Sequence, residues 1–123
     1  MATKIKVLVI DTHLDTFDKI KEILDPFEIF TVSYTNSLEN KFQQDIVIIN
    51  FDFWSLDGWD GMEIFKKIRQ MTEEVNIIFI TDMNEIKKVK GLEHLIFISK
   101  PITETNLINS IFDSISQNLP PLM

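Results

Sequence analysis

Polar side chains of the kinds that take part in phosphoryl chemistry occur at one sort of place in this chain, directly after short apolar runs. They are two carboxylates, two hydroxyls, an amide and an ammonium: Asp11, Thr12, Asn50, Thr81, Asp82 and Lys100. Phosphoryl transfer to a carboxylate needs an anionic nucleophile, carboxylates that hold Mg²⁺, and a lysine that neutralises the remaining charge.

The apolar runs that precede these residues predict the strands that position them. Four runs, at residues 7–10, 46–49, 77–80 and 95–98, are continuous and mostly β-branched. Such runs are typical of parallel strands that are buried on both faces. The segment 28–34 alternates more weakly, and we predict it as the second strand of five.

Apolar residues at helical spacing separate the predicted strands. They predict helices at about 14–24, 37–43, 61–71, 84–91 and 104–119. Strand and helix therefore alternate, which predicts an α/β fold with a doubly wound, five-stranded parallel sheet of the flavodoxin-like type. In such sheets, ligands and chemistry gather at the carboxyl ends of the strands. The polar residues are therefore expected to converge at one edge.

Composition limits the possible functions. A chain of 123 residues has the usual size of one domain, so we predict a single domain over 1–123. Nineteen acids against twelve bases give a formal charge of -7, which argues against binding to nucleic acid or to an anionic membrane. The chain has no cysteine and no apolar stretch of about 20 residues, so we expect a cytoplasmic location.

The order and spacing of these motifs resemble the receiver domain of bacterial response regulators. In that family an acidic pair ends the first strand, a phosphoacceptor aspartate ends the third, Thr or Ser ends the fourth, and Lys-Pro follows the fifth. The corresponding residues are Asp11, Thr12, Asn50, Thr81, Lys100 and Pro101, with Phe97 at the family's aromatic switch position. The resemblance implies a role in two-component signal transduction.

The departures from the family pattern predict a degenerate, or pseudo-receiver, member. Asn50 replaces the phosphoacceptor, Thr12 replaces the second acid, and Asp82 stands where the family prefers a small residue. Thr12 and Asp82 also fit helix caps, because an acid follows each three residues later. We therefore expect no catalysis, metal or cofactor, and we interpret Lys100 as a buried structural cation that bridges Asp11 and the Asn50 amide oxygen.

Two features leave alternatives open. Asp52 lies two residues beyond Asn50, so it could serve as a displaced acceptor in an active, Mg²⁺-dependent receiver. The loop between Asn50 and the predicted helix at 61–71 is rich in aromatic residues: Phe51, Phe53, Trp54 and Trp59. These rings predict a surface for a protein partner or for self-association, with a lid over the site as the competing interpretation.

Overall fold

The computed structural model describes residues 4–11, 14–35, 44–50, 61–72, 74–81 and 96–117. These residues contain one five-stranded sheet in the order β2-β1-β3-β4-β5, and all neighbouring strands are parallel. The strands are β1 Ile5–Ile10, β2 Phe30–Thr35, β3 Ile46–Asn50, β4 Asn76–Thr81 and β5 Ile96–Ser99. The predicted α/β fold with a doubly wound parallel sheet is confirmed.

Three helices lie within the described residues: α1 Leu14–Leu24, α2 Gly61–Met71 and α3 Glu104–Gln117. The first two have the predicted bounds, whereas the predicted helices at 37–43 and 84–91 lie outside the described residues. None of these three helices is long and apolar enough to cross a membrane.

The bounds of β2 differ from the prediction. This strand begins at Phe30 instead of residue 28, because the chain first turns after α1. In that turn the Phe27 amide donates to Leu24 O at 2.9 Å, and the Phe30 amide donates to Phe27 O at 3.2 Å.

The sheet separates two apolar cores, which explains the continuous apolar runs within its central strands. Successive side chains of a strand point to opposite faces. One face packs against α1 and α3, through Val7, Val9, Ile46, Ile48, Ile78, Ile80, Ile20, Leu24, Leu107 and Ile111. The other face packs against α2, through Leu8, Ile10, Val47, Ile49, Ile77, Phe79, Ile64 and Ile68. Both faces are covered, so the edge formed by the strand ends is where polar groups can gather.

Asp45 joins three strands at the amino edge of the sheet. Its Oδ2 accepts a hydrogen bond from the Lys6 amide at 2.9 Å. Its own amide donates to Lys6 O at 2.9 Å, and its carbonyl accepts from the Asn76 amide at 3.0 Å. This residue therefore aligns the starts of β1, β3 and β4, which sets the positions of their carboxyl ends.

Candidate functional site

Asp11 and Asn50 form the centre of the polar cluster at the carboxyl edge. Ile10 pairs with Ile49 in the β1–β3 ladder, so the residues that follow them are neighbours. The Nδ2 atom of Asn50 donates a hydrogen bond to Oδ2 of Asp11 at 2.9 Å. Asp11 is 1% exposed and Asn50 is 9% exposed. A buried carboxylate needs such a donor, because an ion without compensating hydrogen bonds is costly to bury.

Thr81 and Lys100 extend this edge along the next two strands. Thr81 is fully buried at the end of β4 and pairs with Ser99 at the end of β5. The backbone amide of Lys100 donates to Thr81 O at 3.2 Å. The Lys100-Pro101 peptide bond is cis. The structure thus brings Asp11, Asn50, Thr81 and Lys100 to the carboxyl edge of the sheet.

The expectation of a buried Lys100 is wrong. Lys100 is exposed, because it follows β5, an edge strand with a neighbour on only one side. Asn50 contacts Asp11 directly through its amide nitrogen. A bridge from the Lys100 ammonium to these two side chains stays a prediction.

Tyr34 belongs to this edge, although the sequence analysis treated it only as part of a strand. The Asp11 amide donates to Thr35 O at 3.2 Å, which brings the end of β2 beside Asp11. The Tyr34 ring lies 5.5 Å from the Phe17 ring of α1, centroid to centroid. Burial raises the pKa of the Tyr34 hydroxyl above its usual value of 10.0, and the charge of Asp11 raises it further. No sequence signal identified this residue, because its position beside Asp11 depends on the register of β1 and β2.

A reciprocal hydrogen-bond pair holds the segment between the site and α3. The Asn106 amide donates to Thr103 Oγ1 at 3.1 Å, and the Thr103 amide donates to Asn106 Oδ1 at 2.8 Å. The Asn106 Nδ2 atom also donates to Pro101 O at 3.3 Å. This arrangement is a capping box in which asparagine replaces the usual glutamate. It fixes the chain that leaves Lys100, and the sequence analysis missed it.

The residues that could hold a divalent cation at this edge are only partly described, since Thr12, Asp52 and Asp82 lie outside the described residues. Mg²⁺ is bound by oxygen ligands, usually through one or two carboxylates. Here Asp11 supplies a carboxylate, but one of its oxygens already accepts a hydrogen bond from the Asn50 amide nitrogen. In the described part of the chain, no group of three His, Cys, Asp or Glu side chains could hold a metal ion.

Several predicted site residues lie outside the described residues. They are Thr12, Asp52, Asp82 and the aromatic residues Phe51, Phe53, Trp54 and Trp59. Their assigned roles stay predictions. Phe97, at the predicted switch position, is described. It is half-buried in β5 and stacks on Phe79 of β4.

Solved structures of receiver domains share this fold. A response regulator receiver domain protein from Clostridium thermocellum superposes with a TM-score of 0.74 at 22% identity, covering 92% of this chain and 95% of its own. The non-phosphorylated HemR receiver domain from Leptospira biflexa gives 0.72 at 19% identity, covering 97% and 100%. RcsB from Salmonella enterica, solved bound to a promoter, gives 0.73 at 16% identity, and the match covers 93% of this chain and 63% of that chain.

Sequence comparison gives the same family. The chain is 24% identical over 123 residues to sporulation initiation phosphotransferase F of Bacillus subtilis (strain 168), covering 94% of each protein. Residues 7–112 match the response regulator receiver domain family, and this range includes α1, α2 and every strand except the first two residues of β1. The chain therefore belongs to the response regulator receiver domain family of two-component signalling.

Proposed function

We propose that this receiver domain acts without phosphorylation, through protein–protein interaction. The observation that carries the proposal is the hydrogen bond from Asn50 Nδ2 to Asp11 Oδ2. Asn50 occupies the position that corresponds to the phosphoacceptor in the family, and its amide lacks the anionic oxygen that attacks phosphorus. The same amide satisfies the matched acid, so the pocket has a stable arrangement that needs no phosphoryl group.

Charge at the site supports the proposal. A phosphoryl group adds about two negative charges near neutral pH, and a metal-free pocket beside buried Asp11 would repel it. Thr12 replaces a second carboxylate, which removes a Mg²⁺ ligand, and Asp82 adds an acid after Thr81. Each of these replacements disfavours the same reaction, and so we assign the domain no enzymatic activity.

Such a domain is expected to act by binding a protein and not a nucleic acid. RcsB binds DNA as part of a longer chain, whereas this chain carries a formal charge of -7, which disfavours contact with nucleic acid phosphates. We propose another protein or a second copy of the chain as the partner, with the aromatic residues between 51 and 59 as part of the contact. The cysteine-free composition suits the reducing cytoplasm as the location.

Intact mass spectrometry tests the proposal directly. The protein is incubated with acetyl phosphate and Mg²⁺, beside a receiver domain that retains the aspartate, as positive control. We expect the control to gain about 80 Da, the mass of one phosphoryl group, and this protein to gain none. A stoichiometric gain would contradict the proposal. If the mass gain then disappeared in the variant Asp52→Asn, the phosphate would be assigned to Asp52 and the displaced-acceptor alternative would be established.

A further inference from the structure

The three described helices carry opposite charge on the two sides of the sheet. On one side, α1 has three acids and two bases, and α3 has two acids and no base. On the other side, α2 has one acid and three bases. These bases lie at positions 66, 67 and 69, in the carboxyl-terminal half of the helix. The described helices are therefore acidic on the α1 side and basic on the α2 side.

The acids of α1 line one exposed stripe. Asp15, Asp18 and Glu22 are spaced by three and four residues, which places them along one side of the helix. All three are exposed. Lys21, one of the two bases, is paired with Asp25 at 2.8 Å. We call the three acids the acidic stripe, and it keeps an excess of negative charge at the surface.

The bases of α2 lie beside an exposed apolar side chain. Lys66 and Lys67 are exposed, and Arg69 is half-buried. Met71, in the last turn of the helix, is 41% exposed. We call Lys66, Lys67 and Met71 the basic patch. Leu14, at the amino-terminal end of the acidic stripe, is 54% exposed. Each charged surface thus adjoins one large apolar side chain that another surface could cover.

We propose that the basic patch binds the acidic stripe of a second copy of this chain. Opposite charges across a contact attract each other and select the partner. The same contact removes the exposed parts of Met71 and Leu14 from water, which is favourable. The proposed function leaves the partner open between another protein and a second copy. This inference rests on that function and names the second copy.

The position of the two surfaces determines the kind of assembly. The acidic stripe and the basic patch lie on helices that cover opposite faces of the sheet. A copy that uses its patch therefore leaves its stripe open to a further copy. Such a head-to-tail contact does not pair a surface with itself, and it can continue from copy to copy. The expected product is an open series of copies and not a closed dimer.

Salt separates this contact from the effect of net charge. Each copy has a formal charge of -7, so two copies repel each other overall, and salt weakens that repulsion. Attraction between the stripe and the patch is also weakened by salt. At about 0.15 M salt the Debye length is about 8 Å, so the charges that face each other dominate over distant ones. The proposed contact therefore weakens from this concentration upward, whereas an association limited by net charge would strengthen.

Sedimentation of the full chain measures the contact. The weight-average mass is followed up to about 1 mM protein, because a small charged interface is expected to be weak. At about 0.15 M NaCl we expect the mass to rise with protein concentration without a plateau at the dimer, and at about 1 M NaCl we expect it to fall. A monomer throughout, a plateau at the dimer, or a mass that increases with salt would overturn the proposal.

Charge reversal locates the contact. Lys66→Glu and Asp18→Lys each place like charges opposite each other, and we expect each to weaken self-association by about fivefold or more. Lys4→Glu and Asp113→Lys are the matched controls, because they make the same charge changes at exposed residues outside the patch and the stripe. We expect each control to change self-association by less than about twofold. Equal losses in the controls and in the helix variants would contradict the assignment.

Mixing Lys66→Glu with Asp18→Lys tests the complementarity itself. In an equimolar mixture the altered patch of one variant meets the altered stripe of the other, so opposite charges face each other again. We expect the mixture to regain wild-type association to within about twofold. Urea unfolding identifies a variant that does not fold, and Lys67→Glu or Glu22→Lys then takes its place. A mixture of folded variants that associates as weakly as its components would overturn the proposal. Failure here leaves the phosphorylation assay unaffected, whereas a mass gain in that assay contradicts the proposed function and leaves sedimentation unchanged.

Discussion

Asn50 donates its amide hydrogen to the buried Asp11 carboxylate across 2.9 Å, at the point where β1 and β3 end side by side. The pair therefore carries a single negative charge and a matched donor. Two carboxylates in the same positions would carry twice the charge and no donor between them. The stability of the metal-free domain should depend on this difference.

Asn50→Asp is expected to destabilise the domain by about 1–3 kcal/mol without metal. The variant loses a hydrogen bond to a charged group, and two carboxylates about 5 Å apart repel by roughly 3 kcal/mol at an effective dielectric of 20 before protonation and screening reduce this. We expect Mg²⁺ at ten times its Kd to restore about 1.4 kcal/mol through binding to the folded state. Adding Thr12→Asp should strengthen this effect. Urea unfolding with and without Mg²⁺ measures both changes.

Two controls isolate the charge. Asn50→Ala removes the donor and adds no carboxylate, so it should lose stability without any response to Mg²⁺. The exchange Asp11→Asn with Asn50→Asp keeps one carboxylate and one amide, and its stability should approach that of the wild type. Equal Mg²⁺ responses in Asn50→Asp and Asn50→Ala would contradict the electrostatic explanation.

The titration of Tyr34 reports the same pocket. Burial and, secondarily, the charge of Asp11 raise the pKa of its hydroxyl above 10.0. The folded state therefore binds this proton more tightly than the unfolded chain, and the associated stability is present below pH 10.0 and lost as pH rises through the folded-state pKa. Because the chain has one tyrosine, tyrosinate absorbance follows Tyr34 alone.

Asp11→Asn separates the two causes of this shift. The Tyr34 midpoint should fall but remain above 10.0, because burial is the larger cause. The free energy of unfolding falls at alkaline pH in part because the Tyr34 hydroxyl titrates. Tyr34→Phe should remove that part of the fall. A wild-type midpoint at or below 10.0 would show that the hydroxyl is not shielded in this way.

The sequence predicts an element well when its pattern of residues is compatible with only one kind of secondary structure and environment. A continuous β-branched run such as 46–49 is buried on both faces, so only a central parallel strand suits it. Once the strands are parallel, Asp11 and Asn50 lie at the same edge of the sheet, and they meet there because β1 and β3 are neighbours. Their contact was therefore foreseeable, although the direct amide hydrogen bond was not.

Features that depend on how separate elements meet could not be predicted. The exposure of Lys100 follows from its place beyond an edge strand, which a linear pattern does not reveal. Tyr34 is close enough to Asp11 for its pKa to respond only because β2 pairs with β1. The ring angles among Phe65, Phe79 and Phe97 depend on the register of β4 and β5 and on the position of α2.

Asp45→Ala is expected to lower the free energy of unfolding by about 1 kcal/mol, because the Lys6 amide loses its acceptor at the amino edge. Asp25→Ala is the matched control, since Asp25 is another exposed aspartate, paired with Lys21 at 2.8 Å within one helical turn. Such a pair contributes about 0.3 kcal/mol. Asp45→Asn, which keeps an acceptor oxygen, should recover most of the loss. Urea unfolding that ranks Asp25→Ala as the more damaging change would show that Asp45 does not align the strands as described.

Restoring phosphorylation is the most demanding test of why the site is inactive. We expect the triple variant Thr12→Asp, Asn50→Asp and Asp82→Ala to gain about 80 Da with acetyl phosphate and Mg²⁺, because it supplies a nucleophile and a metal ligand and removes a repelling acid. Asn50→Asp alone should react far more slowly.

Adding Asp52→Asn to the triple variant should leave the reaction intact, since the nucleophile is then at position 50. Adding Asp11→Asn to the triple variant removes the Asp11 carboxylate. This change should suppress phosphorylation, because a second metal ligand is lost. A folded, Mg²⁺-stabilised triple variant that gains no mass would show that the three replacements do not account for the inactivity. Lys100 would then be the next residue to examine, because its ammonium must reach the pocket to neutralise the transferred group.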